Sequence, residues 1–386
     1  MGEIFPSASS LSPRERRWAE RLMGECLSLA HRGFGRTSPN PMVGALVLSP
    51  EGEVVGRGFH RFYGGLHAEE EALSMAGSRA RGGILFVNLE PCSHWGRRPP
   101  CAGLVVESGI ARAFVGTLDP NPVVAGKGVE LLRSGGVEVC VGVLEEECRR
   151  LNEGFFCRFE RGRPAVWLKA ASSLDGKVAL RGGESRWVTS FEARRYGHLL
   201  RSMVDAVLVG VSTVLIDDPE LSNREVDGPS PRPVVLDFHL RVPTSARCLR
   251  RGALVYHCEG EIDRERELRS RGVLAVRVGG EGGRVRLEEV LSDLLRRGVN
   301  LVLVEGGGRV LSSFLESGFY DRLFLFQAPK LMGEGISFSS DLSFGSMEEV
   351  VGLGLVSARR VGEDLLLELS GPGRPLMGGG KPCSPA

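Results

Sequence analysis

Four side chains between positions 67 and 101 could do hydrolytic chemistry together: His67, Glu69, Cys92 and Cys101. Neutral imidazole and thiolate are the ligands zinc prefers, and three protein ligands leave a fourth tetrahedral position open, the mark of a catalytic site. Water in that position has its pKa drawn towards neutrality and becomes a nucleophile. Glu69, two residues beyond the histidine, is placed to take the water's proton and deliver it to a leaving group. Blander readings exist for each residue. His67 alone could be a capping or surface histidine, and free cysteines are commonly small buried hydrophobes. A closed structural site with His94 as fourth ligand is the sharper competitor. A carboxylate beside the metal serves no purpose there, so the open site is preferred and His94 is read as a substrate contact.

These residues need elements to hold them. Apolar residues at Trp18, Leu22, Cys26, Leu29 and Ala30 mark a helix over 13–32. Strands are expected over 42–48 and 54–60, joined by a turn at Glu51-Gly52, and a helix over 67–76. A strand over 84–89 runs into Pro91-Cys92, and Cys101 opens a helix over 101–108, whose N-terminus favours a thiolate. A strand over 113–116, a loop at 119–122, a helix over 128–134 and a strand over 137–141 follow. Such alternation indicates an α/β fold with a largely parallel sheet. The charged, Gly- and Pro-bearing stretch 158–164 is read as a domain boundary. Alternation then restarts, with strands over 165–171, 206–209, 233–236, 252–256, 274–278, 300–304, 322–328 and 365–370, and helices over 193–201, 287–297 and 310–317. Glu305 and Gly306-Gly307-Gly308 link a strand to a helix, a geometry that brings backbone N–H groups against a phosphate. An ordinary glycine turn is the alternative. Asp175 is read as a turn residue before Gly176. Segments 1–12 and 371–386 are expected to be a disordered extension and tail.

Composition narrows the function classes. With 386 residues there is room for two or three cores. Lys and Arg number 49 against 48 Asp and Glu, a net charge of +1, which argues against binding nucleic acid or anionic lipid by bulk electrostatics. No apolar run approaches the ~18 residues of a membrane span. The first residues lack the basic flank and apolar core of a secretory signal. Nine cysteines, an odd number without framework spacing, suggest reduced thiols and a cytoplasmic setting.

His-x-Glu, then Pro-Cys, then Cys is the order found in zinc-dependent nucleobase deaminases, where two residues separate the cysteines; here eight do. PNPMVGALV (39–47), HAEEEAL (67–73), LEPCSHWGRRPPC (89–101) and DPNPVVAGKG (119–128) resemble the deaminase half of the bifunctional deaminase/reductase of riboflavin biosynthesis, in which the long cysteine spacing is normal. LKAASSLDGKVAL (168–180), GESRWVTS (183–190), GVSTVLIDDPELSNR (210–224) and LVEGGGRVLSSFLESG (303–318) resemble its reductase half. The resemblance implies a cytidine-deaminase-like three-layer α/β/α domain over 13–160 and a dihydrofolate-reductase-like α/β domain over 164–370. It implies one zinc per chain on His67, Cys92 and Cys101, Glu69 as proton carrier, and Asn40 and His94 as substrate contacts. It places NADPH against Ala171, Trp187, Thr213, Asp217 and the turn Gly307, Gly308, Arg309, Val310, Leu311, Ser312 and Ser313. It places the sugar-phosphate substrate against Ser185, Arg201, Leu221, Arg224 and Glu305. A small-molecule enzyme is implied, neither nucleic-acid-bound nor membrane-bound, and a homo-oligomer paired through the reductase domain. The alternatives are a nucleic-acid base deaminase, a non-enzymatic zinc-stabilised interaction module, and a chain with only one active half. Three positions depart from the family pattern: Glu70, Arg98, and Gly308-Arg309 in place of Pro-Thr.

Overall fold

The computed structural model describes residues 8–95 and 99–373. Arg98 and most of the terminal segments lie outside them. The chain divides into two compact units between Glu160 and Arg161.

The first unit contains α1 (Pro13–Ala30), β1 (Gly44–Leu48), β2 (Val54–Phe59), α2 (Ala68–Ala76), β3 (Ile84–Leu89), α3 (Cys101–Glu107), β4 (Arg112–Thr117), α4 (Lys127–Ser134), β5 (Glu138–Val141), α5 (Glu145–Leu151) and α6 (Glu153–Glu160). Ser12 caps α1, accepting from Glu15 N at 3.3 Å, with Pro13 at the first helical position. The sheet order is β2-β1-β3-β4-β5. It is mixed: β1 runs antiparallel to β2 and β3, while β3, β4 and β5 are parallel. Both faces are covered, which is why β1 reads as an unbroken apolar run. Ala45, Val47, Leu85 and Val87 face α2, α3 and α4, whereas Leu46, Leu48, Phe86 and Phe114 face α1 and Cys148 of α5. Three layers result.

The second unit contains β6 (Ala165–Ser173), β7 (Lys177–Leu180), α7 (Phe191–Ser202), β8 (Ala206–Gly210), α8 (Val211–Asp217), β9 (Arg232–Leu236), β10 (Leu254–His257), α9 (Ile262–Ser270), β11 (Leu274–Arg277), β12 (Gly280–Glu281), β13 (Arg284–Val285), α10 (Leu287–Arg296), β14 (Leu301–Val304), α11 (Gly308–Ser317), β15 (Arg322–Ala328), β16 (Gly335–Ser337), β17 (Gly354–Val361) and β18 (Asp364–Ser370). Nine strands form one sheet, ordered β11-β10-β9-β8-β14-β6-β15-β18-β17. It is parallel from β11 to β15 and antiparallel at β18 and β17. One face packs Val166, Leu168, Leu208, Val302 and Val304 on α10 and α11. The other packs Trp167, Leu303 and Phe326 on α7, and Val207, Val235 and Val255 on α9.

The stretch 158–164, read as a domain boundary, is structured. Arg158 lies in α6. Arg163 is fully buried and bonds Asp321 through Nη1 at 2.7 Å and Nη2 at 2.9 Å. A charged, Gly-bearing string looks solvated in sequence because its buried partner is 158 residues away.

Candidate active sites

His67 is the N-cap of α2 in extended conformation. The helix lies close on β2 because β2 carries glycines: a Cβ at Gly58 would stand 2.1 Å from Ala68 O, and one at Gly56 2.1 Å from Ala72 O. Glu71 ties the same pair, accepting from Phe59 N at 2.9 Å. Cys92 follows the end of β3, and Cys101 is the first residue of α3. Cys101 N donates to Cys92 Sγ at 3.3 Å, so Cys92 sits against the helix N-terminus.

His67 Nδ1 lies 3.1 Å from Cys101 Sγ and 3.6 Å from Cys92 Sγ. Among the described residues these three form the one group of His, Cys, Asp and Glu atoms close enough to share a metal ion. Ligands at the Zn–N and Zn–S distances of a tetrahedral site stand ~3.5 Å apart, so spacing and donor chemistry both fit zinc. His94 lies outside this group and lines the cavity beside it. A hydrogen bond from the Cys101 thiol holds Cys92 down at about 4, and the same bond pushes Cys101 up. The bond to Cys92 raises His67 to about 9, against burial. Burial raises Glu69, only 3% exposed, to about 7, which suits a group that takes and returns protons.

The cavity has a volume of about 700 Å³ and is lined by Asn40, His60, His67, Glu69, Cys92, His94, Asp119 and Asn121 among others. His60 escaped the sequence reading. Burial keeps it neutral. Its Nδ1 bonds Leu66 O at 2.9 Å, which leaves Nε2 to accept from Asn40 Nδ2 at 3.4 Å. Asn40, expected at the substrate, is thus linked through His60 to the residue preceding His67. Asp119 is pushed up to about 7, chiefly by burial.

In the second unit Arg201, on α7, grips Glu305, at the end of β14, through Nε–Oε1 at 2.9 Å and Nη2–Oε2 at 2.6 Å. Its remaining Nη1 donates to Ser222 O at 3.1 Å. Lys169 of β6 is drawn to the same carboxylate, with burial lowering its pKa and Glu305 opposing the shift. Arg224 N donates to His198 Nδ1 at 3.3 Å. Nothing in the local sequence around Lys169 announced it; a lysine on an otherwise buried strand was the available signal. Leu221 is core. Ser185 is half-buried, and Trp187 is exposed under the Arg194 guanidinium.

Gly307 caps α11, with Thr213 of α8 beside it. A cavity of about 250 Å³ is lined by Gly210, Ser212, His239, Arg241, Arg309, Val310 and Ser313, with others. Ala171, Thr213, Asp217 and Trp187 lie outside that lining. Leu311 packs into the core with its N–H donating to Gly307 O at 3.2 Å, and Ser312 Oγ accepts from Asp341 N at 3.3 Å, so these two are committed within the unit. Asp175 is a turn residue as read; its carboxylate also accepts from Met332 N at 3.1 Å and Gly333 N at 2.8 Å.

A buried carboxylate beside a His-Cys-Cys donor set on a three-layer sheet, joined to a nine-stranded α/β unit with a glycine turn, defines a zinc deaminase fused to a nucleotide-dependent reductase. Residues 16–117 match the cytidine and deoxycytidylate deaminase zinc-binding region, and residues 164–367 match the RibD C-terminal domain. The chain is 45% identical to riboflavin biosynthesis protein RibD of Aquifex aeolicus over 90% of its length and 97% of that protein. It is 36% identical to RibD of Escherichia coli over 91% and 99%. The solved structure of Acinetobacter baumannii RibD superposes with a TM-score of 0.84 at 34% identity, covering 92% of this chain and 99% of that one. The Thermotoga maritima deaminase/reductase superposes at 0.82 and 36% identity, over 92% and 99%. The chain belongs to the RibD family of riboflavin biosynthesis. It is a bifunctional deaminase and reductase with zinc and NADPH as cofactors, its first unit cytidine-deaminase-like and its second dihydrofolate-reductase-like.

Proposed function

We propose that the first unit hydrolytically deaminates the diaminohydroxyphosphoribosylaminopyrimidine, and that the second reduces the ribosyl group of the resulting 5-amino-6-(5-phosphoribosylamino)uracil with NADPH, the two activities named for the Thermotoga maritima relative. The observation that carries the first half is Glu69, a buried carboxylate two residues from His67 on the wall of a cavity large enough for a pyrimidine nucleotide. His67, Cys92 and Cys101 hold the zinc. When bound, zinc supplies the Lewis acidity that makes water nucleophilic near neutral pH. The Glu69 carboxylate takes the proton from that water, passes it to the ring nitrogen next to the amino-bearing carbon, and later assists departure of ammonia. Asn40 and His94 orient the pyrimidine from the cavity wall.

In the second unit NADPH supplies hydride to the sugar. The turn Gly307–Ser313, with Ala171, Trp187, Thr213 and Asp217, holds the cofactor. Arg241 and Arg309 stand in the cavity beside the turn and suit its extra phosphate. Glu305, with Arg201 holding it, meets the sugar phosphate's hydroxyls, flanked by Ser185, Leu221 and Arg224. The chain pairs with a second copy through this unit. Edge strand β17 supports that reading: among the described residues its outer ladder has no strand partner, and Leu355 is 66% exposed. The compartment is cytoplasmic, and the eight described cysteines are free thiols, as a reducing compartment keeps them. No helix among the described residues is long and apolar enough to cross a membrane.

Glu69→Gln tests the deaminase. It keeps shape and hydrogen bonding but cannot carry protons. Deamination should fall by about 10²–10⁴-fold, with zinc content and NADPH reduction of pre-deaminated substrate at wild-type levels. Undiminished deamination would refute Glu69 as proton carrier, and lost zinc would make it a ligand.

A further inference from the structure

One buried acid of the first unit takes no part in the proton transfers above. Glu90 follows β3 directly, two residues before Cys92, and is 3% exposed. Its carboxylate receives four backbone N–H bonds. Oε2 accepts from Asp119 N at 3.0 Å and Gly126 N at 2.9 Å. Oε1 accepts from Gly128 N at 2.8 Å and Val129 N at 3.2 Å. Its own amide donates to Thr117 O at 2.9 Å. The N-cap of α4 is Gly126, which has no side chain to offer the helix's first amides. Glu90 serves in its place, from 36 residues earlier in the chain, with its charge at the positive end of the helix. The approach is close. A Cβ at Gly128 would stand 2.0 Å from Pro91 O and 3.1 Å from Glu90 Cγ.

The two sides of this joint have distinct duties. On one side the backbone continues through Pro91 into Cys92, whose position sets the donor group. On the other, the segment from Asp119 to Val124 supplies Asp119, Asn121, Val123 and Val124 to the cavity wall. We infer that Glu90 is a positioning residue of the deaminase: it fixes the substrate-facing loop 119–126 and the start of α4 in register with the Cys92 end of β3, so that metal donors and cavity wall keep one spacing. The inference rests on the deaminase reading above. A carboxylate suits the task because each oxygen must accept two N–H groups. A glutamine, however turned, sets an NH₂ against two donors.

The test uses the full chain, with the diaminopyrimidine ribosyl phosphate and its deaminated product as probes. Glu90→Gln should lower kcat of deamination per zinc-loaded chain by about 10–100-fold, the scale of a displacement near 1 Å, and raise KM. Zinc content and NADPH reduction of the product should stay at wild-type values. Hydrogen exchange should speed up at Gly126, Gly128 and Val129 while β3 and β4 stay protected. A role confined to stability would lower the melting temperature and leave both constants per zinc-loaded chain unchanged, and that result overturns the inference. Gly128→Ala strains the same joint with the carboxylate intact and should give the same kcat and KM changes; wild-type constants in that variant also overturn it. Loss of zinc and of folding in both variants makes Glu90 a folding residue and overturns it too. A wild-type chain inert towards the diaminopyrimidine would instead sink the deaminase assignment itself.

Discussion

Arg201 and Glu305 make a buried, bidentate pair, and replacing Arg201 by Met removes one member without leaving a large hole. Burial alone would raise the Glu305 pKa, but Arg201 and then Lys169 hold it below its usual value. Breaking a buried pair costs about 3–5 kcal/mol, because a charge is left uncompensated. Lys169 still faces Glu305 in the variant, so the lower end of that range, about 3 kcal/mol, is expected. Glu305→Gln strands the Arg201 guanidinium and should cost a similar amount. The double variant leaves neither charge exposed to the other's absence and should be more stable than the sum of the two losses by about 2 kcal/mol. The assay is urea unfolding of the full chain, read by hydrogen exchange at β14 and α7 so that the second unit is followed by itself. The same variants separate two roles for the arginine. All its nitrogens are engaged, two by Glu305 and one by Ser222 O. Its influence on substrate therefore runs through Glu305, and Arg201→Met and Glu305→Gln should each raise KM for the sugar phosphate, with the double variant no worse than the poorer single one. KM for NADPH should hardly move. Additive KM increases would refute this and place Arg201 directly on the phosphate.

Three further outcomes follow from the same structure. Arg241→Ala and Arg309→Ala should each raise KM for NADPH by about tenfold, the loss of about 1.4 kcal/mol, and leave weak turnover with NADH unchanged; equal effects on both cofactors would move the extra phosphate elsewhere. Asp321→Asn strands the fully buried Arg163 and should destabilise the second unit by about 3–5 kcal/mol, seen as a lower temperature of half-inactivation of reduction. Burial, then the charges of Arg201 and Arg224, depress His198 from 6.5 to about 4. The unfolded chain therefore takes up that proton first. Its contribution is complete above pH 6.5, is lost as pH falls from 6.5 to about 4, and is constant below. Melting of the second unit between pH 7.5 and 4.5 should show this decline, and His198→Asn should flatten it.

Local signals were easy to read where residue type and period agree. Ser12-Pro13 and the stripe from Trp18 to Ala30 give α1, unbroken apolar runs give β1 and β14, and a run interrupted only by Asn88 gives β3. His67, Cys92 and Cys101 stood out because imidazole and thiols are rare at such intervals. The elements that escaped are those whose pattern is diluted by charge or set from a distance. In α5 and α6 only Cys148, Gly154, Phe156, Cys157 and Arg158 are buried, so the helices resemble a charged linker. Seven-residue α8 is too short to show a period. β17 is exposed along most of its length and shows no alternation. The antiparallel pairing of β1 with β2 is the one the Glu51-Gly52 turn announces; the sheet of the first unit is parallel only over β3, β4 and β5 because β1 runs antiparallel to β3 as well. Glu90 and Lys169 were missed for one shared reason: each is a polar residue whose partners lie far along the chain; His60 was missed because its near partner, Leu66 O, is a backbone atom that no residue type announces.

Each cavity is walled by residues of a single unit, the first between Pro39 and Phe159 and the second between Gly210 and Ser313. In genetic terms, one reading frame therefore carries two cistron-like functions that can be broken separately. Two alleles, one with Glu69→Gln and the other with Glu305→Gln, should together support more flavin synthesis than either alone. The gain comes from molecules that each favour one half of the conversion, and the deaminated intermediate must leave one chain and find another. The growth rate of that strain would then measure how freely the intermediate escapes, a quantity that purified wild-type enzyme conceals.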